Sequence, residues 1–359
     1  MPYCVVNTVV WKKNTRLTRS SCNPSLQNTI KELGRALNDG FALLDKLPKI
    51  SADSAAPLYL FVAPEYLFKA FLPDKSFLYG ESDVKTVHAA LRELSTPTSS
   101  RPNVLVVPGT ILWAREIKHS ASFDEQREAH LKKRLLKSPN DIQLHKDYAE
   151  ETADGFKRHV KSTTPLVYGH NESLIYFNGE PRKVVRKTID TDFTDDDFIP
   201  NGVQMPGLGA GTFTLKSLKL KVGVEICGDH FAGRMMAHQK TVNLMIVVSG
   251  TIRTIPLNVP MTQGGLFVHA DSDEHQSEIA QPALGDWPVF HDNKDKEQFD
   301  QMCKDWRGYK PQQVASYENS IANDQIRSVL PVLKDVWHRS STDEFLCGRA
   351  MVPATGKGG

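Results

Sequence analysis

The stretch Leu58-Tyr59-Leu60-Phe61-Val62-Ala63-Pro64-Glu65-Tyr66 decides the fold. Leu58 to Val62 is an uninterrupted apolar run of strand length, too short for a helix and bounded by Pro57 and Pro64, which is how a strand buried on both faces reads. Glu65 then falls just past the strand end, where a side chain faces a crevice instead of a core. Upstream, Tyr3 to Trp11 is rich in Val and Thr and reads as a first strand, followed by a polar loop through Ser21. Asn23-Pro24 supplies an N-cap and an N1 proline for a helix whose apolar positions, Leu26, Ile30, Leu33, Leu37, Phe41, Leu44 and Leu47, recur at three and four before Pro48. Downstream, Ser82 is the expected cap of a second helix with Val84, Val87, Leu91 and Leu94 on one face. Val104 to Val107, before Pro108-Gly109, is another buried strand. The resulting β-α-β-α-β order argues for an α/β architecture with helices packed on a sheet.

A chain of 359 residues is long enough to bury a substantial core. Forty-four Lys and Arg against 42 Asp and Glu leave a formal charge of +2, without the concentrated basic surface of a nucleic-acid binder. Five cysteines, an odd number with no C-x-x-C pair, match neither a disulfide framework nor a zinc cage and suggest a reducing compartment. The start carries no basic segment leading into a long apolar one, and nowhere do eighteen apolar residues run together. The expectation is a cytoplasmic protein with no membrane or nucleic-acid partner, a secreted effector remaining open.

From about Arg115 to Lys161, with an outer limit near 165, the sequence turns charged and poor in aromatics and reads as a helical insertion or lid on a single domain spanning 1–350. Leu174 to Phe177, then Asn178-Gly179, then Val184-Val185 form a hairpin signal, since Asn-Gly suits a tight turn with positive φ. Lys187 emerges from its second arm. Thr212 to Leu215 and Leu218 to Ile226 make a second hairpin ending at Cys227, Phe231 to Lys240 a helix, Leu244 to Val248 a strand ending at Ser249-Gly250, and Leu266 to Val268 one more. Residues 351–359 read as a loose tail.

Cys227 at the end of an alternating strand is a candidate nucleophile, because the amides of the following turn are free to bind an oxyanion. A thiol is largely protonated at neutral pH and needs a base or cation nearby. Glu65 and Lys187, at two other strand ends, are residue types that supply both. Taken singly, each has a plainer reading as a buried thiol, a solvated carboxylate and an exposed ammonium; their conjunction promotes them. Lys183 rivals Lys187 but lies farther from the strand end, and His230 stands too close along a tight turn to aim at the Cys227 sulfur.

A buried strand ending in Pro-Glu, a hairpin arm ending in Lys and a strand ending in Glu-Ile-Cys-x-Asp, in that order, resemble the nitrilase superfamily of carbon–nitrogen hydrolases over roughly Tyr3 to Val268. The resemblance implies an α-β-β-α sandwich, often a homodimer, with Glu65 as general base, Lys187 as oxyanion-stabilising cation and Cys227 as nucleophile; Asp229 also fits the pattern. On this expectation the backbone N–H of Gly228 would join Lys187 in stabilising the oxyanion. It further implies a small amide-bearing substrate, or a nitrile, with neither metal nor organic cofactor. Two departures stand out: where many members carry a further glutamate after the lysine, residues 188–197 offer only Asp190, Asp192, Asp195, Asp196 and Asp197, and Gly228 follows the cysteine where a bulkier residue is common. An acyl or amide transferase on the same triad, and an inert interaction protein on the same fold, remain alternatives.

Overall fold

The computed structural model describes residues 3–16, 25–50, 56–70, 78–117, 166–188, 202–204, 207, 211–238, 241–255, 258–273, 276–281 and 338–354. Two sheets face one another. The nine-stranded sheet joins β1 (Tyr3–Trp11), β2 (Leu58–Val62), β3 (Asn103–Val107), β4 (Ile111–Ile117), β5 (Leu166–Phe177), β6 (Glu180–Arg186), β7 (Gly202–Gln204), β13 (His338–Ser341) and β14 (Phe345–Pro353). Its main order is β13-β14-β1-β2-β3-β5-β4, with β6 and β7 also paired to β5. The five-stranded sheet is β12-β11-β10-β9-β8, made of β8 (Thr212–Leu215), β9 (Leu220–Ile226), β10 (Val242–Ser249), β11 (Met261–Asp271) and β12 (Glu278–Ala280). Strands β1, β2 and β3 run parallel, as do β9, β10 and β11, so each sheet has a parallel and largely buried centre.

Strand alternation divides the apolar residues between layers. Val6 and Val10, Leu58, Leu60 and Val62, and Leu105 and Val107 point inward to meet Val222, Val224 and Ile226, Leu244, Ile246 and Val248 from the other sheet. The opposite parity, including Val9, Phe61, Val104 and Val106, packs against the helices. Helix α1 (Leu26–Leu44) presents Leu33, Leu37, Phe41 and Leu44, and α2 (Glu81–Leu94) presents Val84, Val87 and Leu91. On the far side Met235 covers Val242, Met245, Val247 and Phe267. The layering is therefore α-β-β-α. Each large side chain buried here stabilises the fold by ~1.5–3 kcal/mol.

Several local expectations shift. The N-cap of α1 is Ser25, whose Oγ accepts the Asn28 amide, and Asn23-Pro24 lie outside the described residues. Helix α2 is capped at Gly80, whose amide is held by the Asp83 carboxylate at 2.9 Å, with Ser82 already inside the helix. Arg115 belongs to β4, so the charged segment begins later than expected; 118–165 lie outside the described residues. The predicted 231–240 helix is two short turns, α3 (Gly228–Phe231) and α4 (Arg234–Ala237), separated at Gly233, whose φ of 63° no regular helix admits.

The C-terminal boundary moves as well. Met351 to Pro353 are not tail but the end of β14, which pairs antiparallel with β1 along its whole length; 355–359 lie outside the described residues. Arg349 on β14 is buried and donates to Asn7 Oδ1 at 2.6 Å and to the carbonyls of Leu44, Leu47 and Pro48. Leu44 is the last residue of α1 and Leu47 and Pro48 follow it, so the guanidinium stands at the C-terminal end of the helix, where a cation suits the dipole. No described helix is long and apolar enough to cross a membrane.

Candidate active site

Three strand ends meet at one rim of the sandwich. After β2 the chain passes Pro64 to Glu65, and both of the Glu65 backbone groups are fixed: its N–H donates to Ser249 O at 3.3 Å and its carbonyl accepts Thr15 Oγ1 at 2.5 Å. The first of these bonds crosses from one sheet to the other. Tyr66 takes a positive φ of 60°, a conformation rare outside glycine, with its amide held by Thr110 Oγ1 at 2.9 Å. Lys69 reinforces the arrangement by donating to the carbonyls of Thr15 and Arg16.

Lys187 follows β6 and is fixed by its amide, which donates to Asn171 O at 2.9 Å, and by its carbonyl, which accepts from Gly207. Its Nζ reaches Glu65 Oε1 at 3.1 Å and Tyr66 Oη at 3.4 Å, with Glu65 and Lys187 both at 0% exposure. Asn171 Nδ2 donates to the same Glu65 oxygen at 2.8 Å. Two donors thus converge on one carboxylate oxygen. On the other, a side chain would intrude, because a Cβ on Gly250 would stand 3.3 Å from Glu65 Oε2 and 2.7 Å from the Tyr66 ring.

Cys227 ends β9 with φ 42° and ψ −109°, well outside the usual L-residue regions, and is 9% exposed. A non-glycine residue held so costs ~1–3 kcal/mol and persists only where its surroundings over-determine it. The surroundings are visible: the Cys227 amide donates to Val248 O at 2.9 Å, and its carbonyl accepts the amides of His230 and Phe231. Val248 and Ser249, adjacent on β10, therefore receive the backbones of Cys227 and Glu65 respectively. Asp229 closes the ring of contacts, because both of its carboxylate oxygens accept the Thr188 amide at 2.9 Å, binding the residue after Lys187 to the turn after Cys227. Gly228 is the first, buried residue of α3.

Both ring nitrogens of His230 are engaged by partners other than the sulfur. Its ring is fully buried, with Nδ1 3.0 Å from Glu225 Oε2 and Nε2 accepting the Ile255 amide at 3.1 Å. Burial pushes its pKa down to about 3, so it is neutral. His269, also buried and pushed down to about 3, lies between Ser249 Oγ at 2.6 Å and Thr254 Oγ1 at 2.8 Å. Ser249 Oγ also bonds Asp271, whose carboxyl burial raises to about 6. Among the described residues, no group of three His, Cys, Asp or Glu side chains is arranged to hold a metal ion.

Of the residues singled out from sequence, Glu65 and Lys187 touch, and Cys227 with Gly228 stands on the neighbouring strand end. Residues 189–200, where an aspartate would stand for the further glutamate, lie outside the described residues. Tyr66, Asn171 and Thr15 were not foreseen. Asn171 had a signal: it shares the inward parity of Ile175 and Phe177 on a buried strand, where an amide needs a polar partner.

No protein-family model matches the sequence, and neither does any curated protein. Among solved structures the chain is similar to a Cys-to-Ala mutant of an amidase of the nitrilase superfamily from Nesterenkonia, with TM-score 0.37 and 9% identity over 75% of this chain and 76% of that one. A glutamine-dependent NAD+ synthetase from Acinetobacter baumannii, bound to ADP, gives TM-score 0.37 and 10% identity over 77% of this chain and 43% of the other. One from Cytophaga hutchinsonii gives 0.32 and 9% over 75% and 36%. The chain spans less than half the length of either synthetase.

Proposed function

We propose that the chain is a cysteine-dependent hydrolase of a non-peptide carbon–nitrogen bond, an amide or a nitrile, acting through a thioester. The observation that carries this reading is the fully buried Glu65–Lys187 pair at 3.1 Å, set beside a strand-end cysteine in a strained conformation. Removing a carboxylate and an ammonium from water is costly, and such buried pairs are concentrated at functional sites. In this reading Glu65 takes the Cys227 proton and the thiolate attacks the amide carbon, while Lys187 and the Gly228 N–H stabilise the oxyanion. Collapse breaks the carbon–nitrogen bond as Glu65 returns the proton to the leaving nitrogen. Glu65 then deprotonates water, which attacks the thioester and releases the acid and the thiol. Every step uses the chain's own side chains and water.

Intact-mass spectrometry with a library of small amides and activated esters tests the reading. Wild type should gain an acyl mass at Cys227 and release ammonia or amine, and Cys227→Ala should do neither. A wild type that never acylates and releases no amine would overturn it. Transfer of the acyl group to an added amine in place of water would identify a transferase on the same residues.

A further inference from the structure

Glu225 and His230 flank the nucleophile turn, two residues before Cys227 and three after it, and the mechanism above uses neither. Both are buried, and when Glu225 is ionised their partners leave one arrangement of protons. Because His230 Nε2 accepts the Ile255 amide at 3.1 Å, it carries no hydrogen, so the neutral ring's proton sits on Nδ1 and is donated to Glu225 Oε2 at 3.0 Å. The other oxygen, Oε1, accepts the Met235 amide at 2.5 Å. Glu225 therefore faces two N–H donors and acts as acceptor at both. Through His230 this acceptor reaches the 250–255 segment, which follows the Ser249 carbonyl that receives Glu65. Asn258 Nδ2 adds bonds to the carbonyls of His230 and Phe231.

We propose that Glu225 and His230 are positioning residues for Cys227: the carboxylate fixes one tautomer of His230, and that tautomer ties the nucleophile turn to the 250–255 segment. The inference rests on the catalytic reading of Cys227. Its sharp consequence is that Glu225→Gln, which keeps size and shape, does not keep the function. With the amide nitrogen toward His230, Nδ1 must lose its proton and Nε2 gains one, which then opposes the Ile255 N–H. With the amide flipped, its NH2 opposes the Met235 N–H. Either way two donors face each other.

The pair also makes the turn sensitive to pH. Burial pushes the Glu225 carboxyl up to about 8, against the pull of the Met235 amide and of Arg234 on α4. Beyond His230, the ring of His269 on β11 lies 6.4 Å away, with the Asp271 carboxylate 3.7 Å behind it. A proton on Glu225 needs an acceptor, and neither neighbour offers one until His230 changes tautomer, so the tie through Ile255 is whole above about pH 8 and gives way below it.

The test is the rate of Cys227 alkylation by iodoacetamide against pH, resolved by site, which needs no substrate, together with thermal unfolding. Above about pH 8, where wild-type Glu225 is ionised, Glu225→Gln should alkylate Cys227 ~10-fold more slowly or worse, since sub-ångström misplacement of a reacting group has effects of this order, and it should lose the pH inflection that Glu225 adds in wild type. His230→Asn keeps the donor to Glu225, and His230→Gln keeps the acceptor for Ile255. Each should give a smaller loss than Glu225→Gln, and these two variants decide the matter if Glu225→Gln does not fold. Wild-type rates and an unchanged pH profile in the folded variants would overturn the inference while leaving the catalytic reading intact. A wild-type Cys227 no faster than Cys4 would overturn both.

Discussion

Glu65 and Glu225 are both buried carboxylates at the ends of inner strands, yet they are compensated in opposite ways. Glu65 faces a buried ammonium at 3.1 Å, whereas Glu225 faces a neutral imidazole at 3.0 Å and a backbone amide. A buried anion matched to a fixed cation forms a unit whose halves are costly to separate. A buried anion matched to neutral donors responds instead by shifting its proton affinity, as Glu225 does. The first arrangement suits a residue that exchanges protons with a substrate next to a constant positive charge. The second suits one that senses or fixes geometry.

The largest expected effect breaks the first unit. Lys187→Met should cost ~3–5 kcal/mol of stability, because it leaves the Glu65 carboxylate buried without the ammonium that faces it, and ~10²–10³ in turnover through loss of an oxyanion donor. The double variant Glu65→Gln/Lys187→Met should recover much of the stability and none of the turnover. Urea unfolding of the two single variants and the double variant measures this, and additive losses would show that the pair is not coupled.

The second prediction contrasts the rim with the core. Burial pushes the Cys4 and Cys347 thiols up to about 11, so at pH 8 about one in a thousand is thiolate. Cys227, at a strand end whose following turn is bonded to the residue after Lys187, should alkylate ~100-fold faster than either. Site-resolved labelling with equal rates at all three would remove the distinction between rim and core.

The third concerns Glu225 and pH. Its folded pKa of about 8 lies above the ordinary 4.5, so its contribution is whole in acid and is lost as pH rises through about 8. His230 and His269, folded near 3 against an ordinary 6.5, act in the other direction: their contribution is whole above 6.5 and is lost as pH falls toward 3. Asp271, raised to about 6, acts in the same direction as Glu225 but is already about three-quarters ionised at pH 6.5 and adds little above it. From pH 6.5 to 8 the Glu225 term therefore acts against the fold, by up to ~1.4 kcal/mol per pH unit. Denaturant midpoints across that window should fall for wild type and stay level for Glu225→Leu.

How much of this was legible in the sequence depends on the range of the cause. Glu65 and Lys187 stood out because proline and hairpin punctuation mark strand ends locally, and Asn178-Gly179 fixed the register, with φ of 53° and 79° as such a turn requires. Strand β4 was missed because its charged residues follow Trp113, and β14 because Gly348 and Arg349 interrupt its apolar run. Arg349 makes sense there only once the end of α1 is beside it. The N-cap was misplaced by two residues, since serine and asparagine are equally good caps and only the chain's path chooses. Tyr66, Asn171 and the Glu225–His230 tie arise from contacts between distant strands or from a backbone twist, and no local spacing announces them.

The smallest effect probes how redundantly Glu65 is held. Its side chain has Lys187 and Asn171, its amide has Ser249, and its carbonyl has the Thr15 hydroxyl. Thr15→Val preserves the buried shape and removes only the last of these donors, leaving one carbonyl without that bond. A lost buried hydrogen bond costs ~1–3 kcal/mol, and the low end applies here because Lys69 still anchors the Thr15 backbone through its carbonyl. With its other anchors intact, Glu65 should keep its position, so acylation should slow by ~5-fold or less with Km unchanged, an effect of at most ~1 kcal/mol on the barrier. Thermal unfolding and single-turnover acylation of Thr15→Val measure both quantities. A loss as large as that of Lys187→Met would mean that Glu65 is held mainly through its backbone, and that the buried ion pair is a consequence of its placement and not the cause.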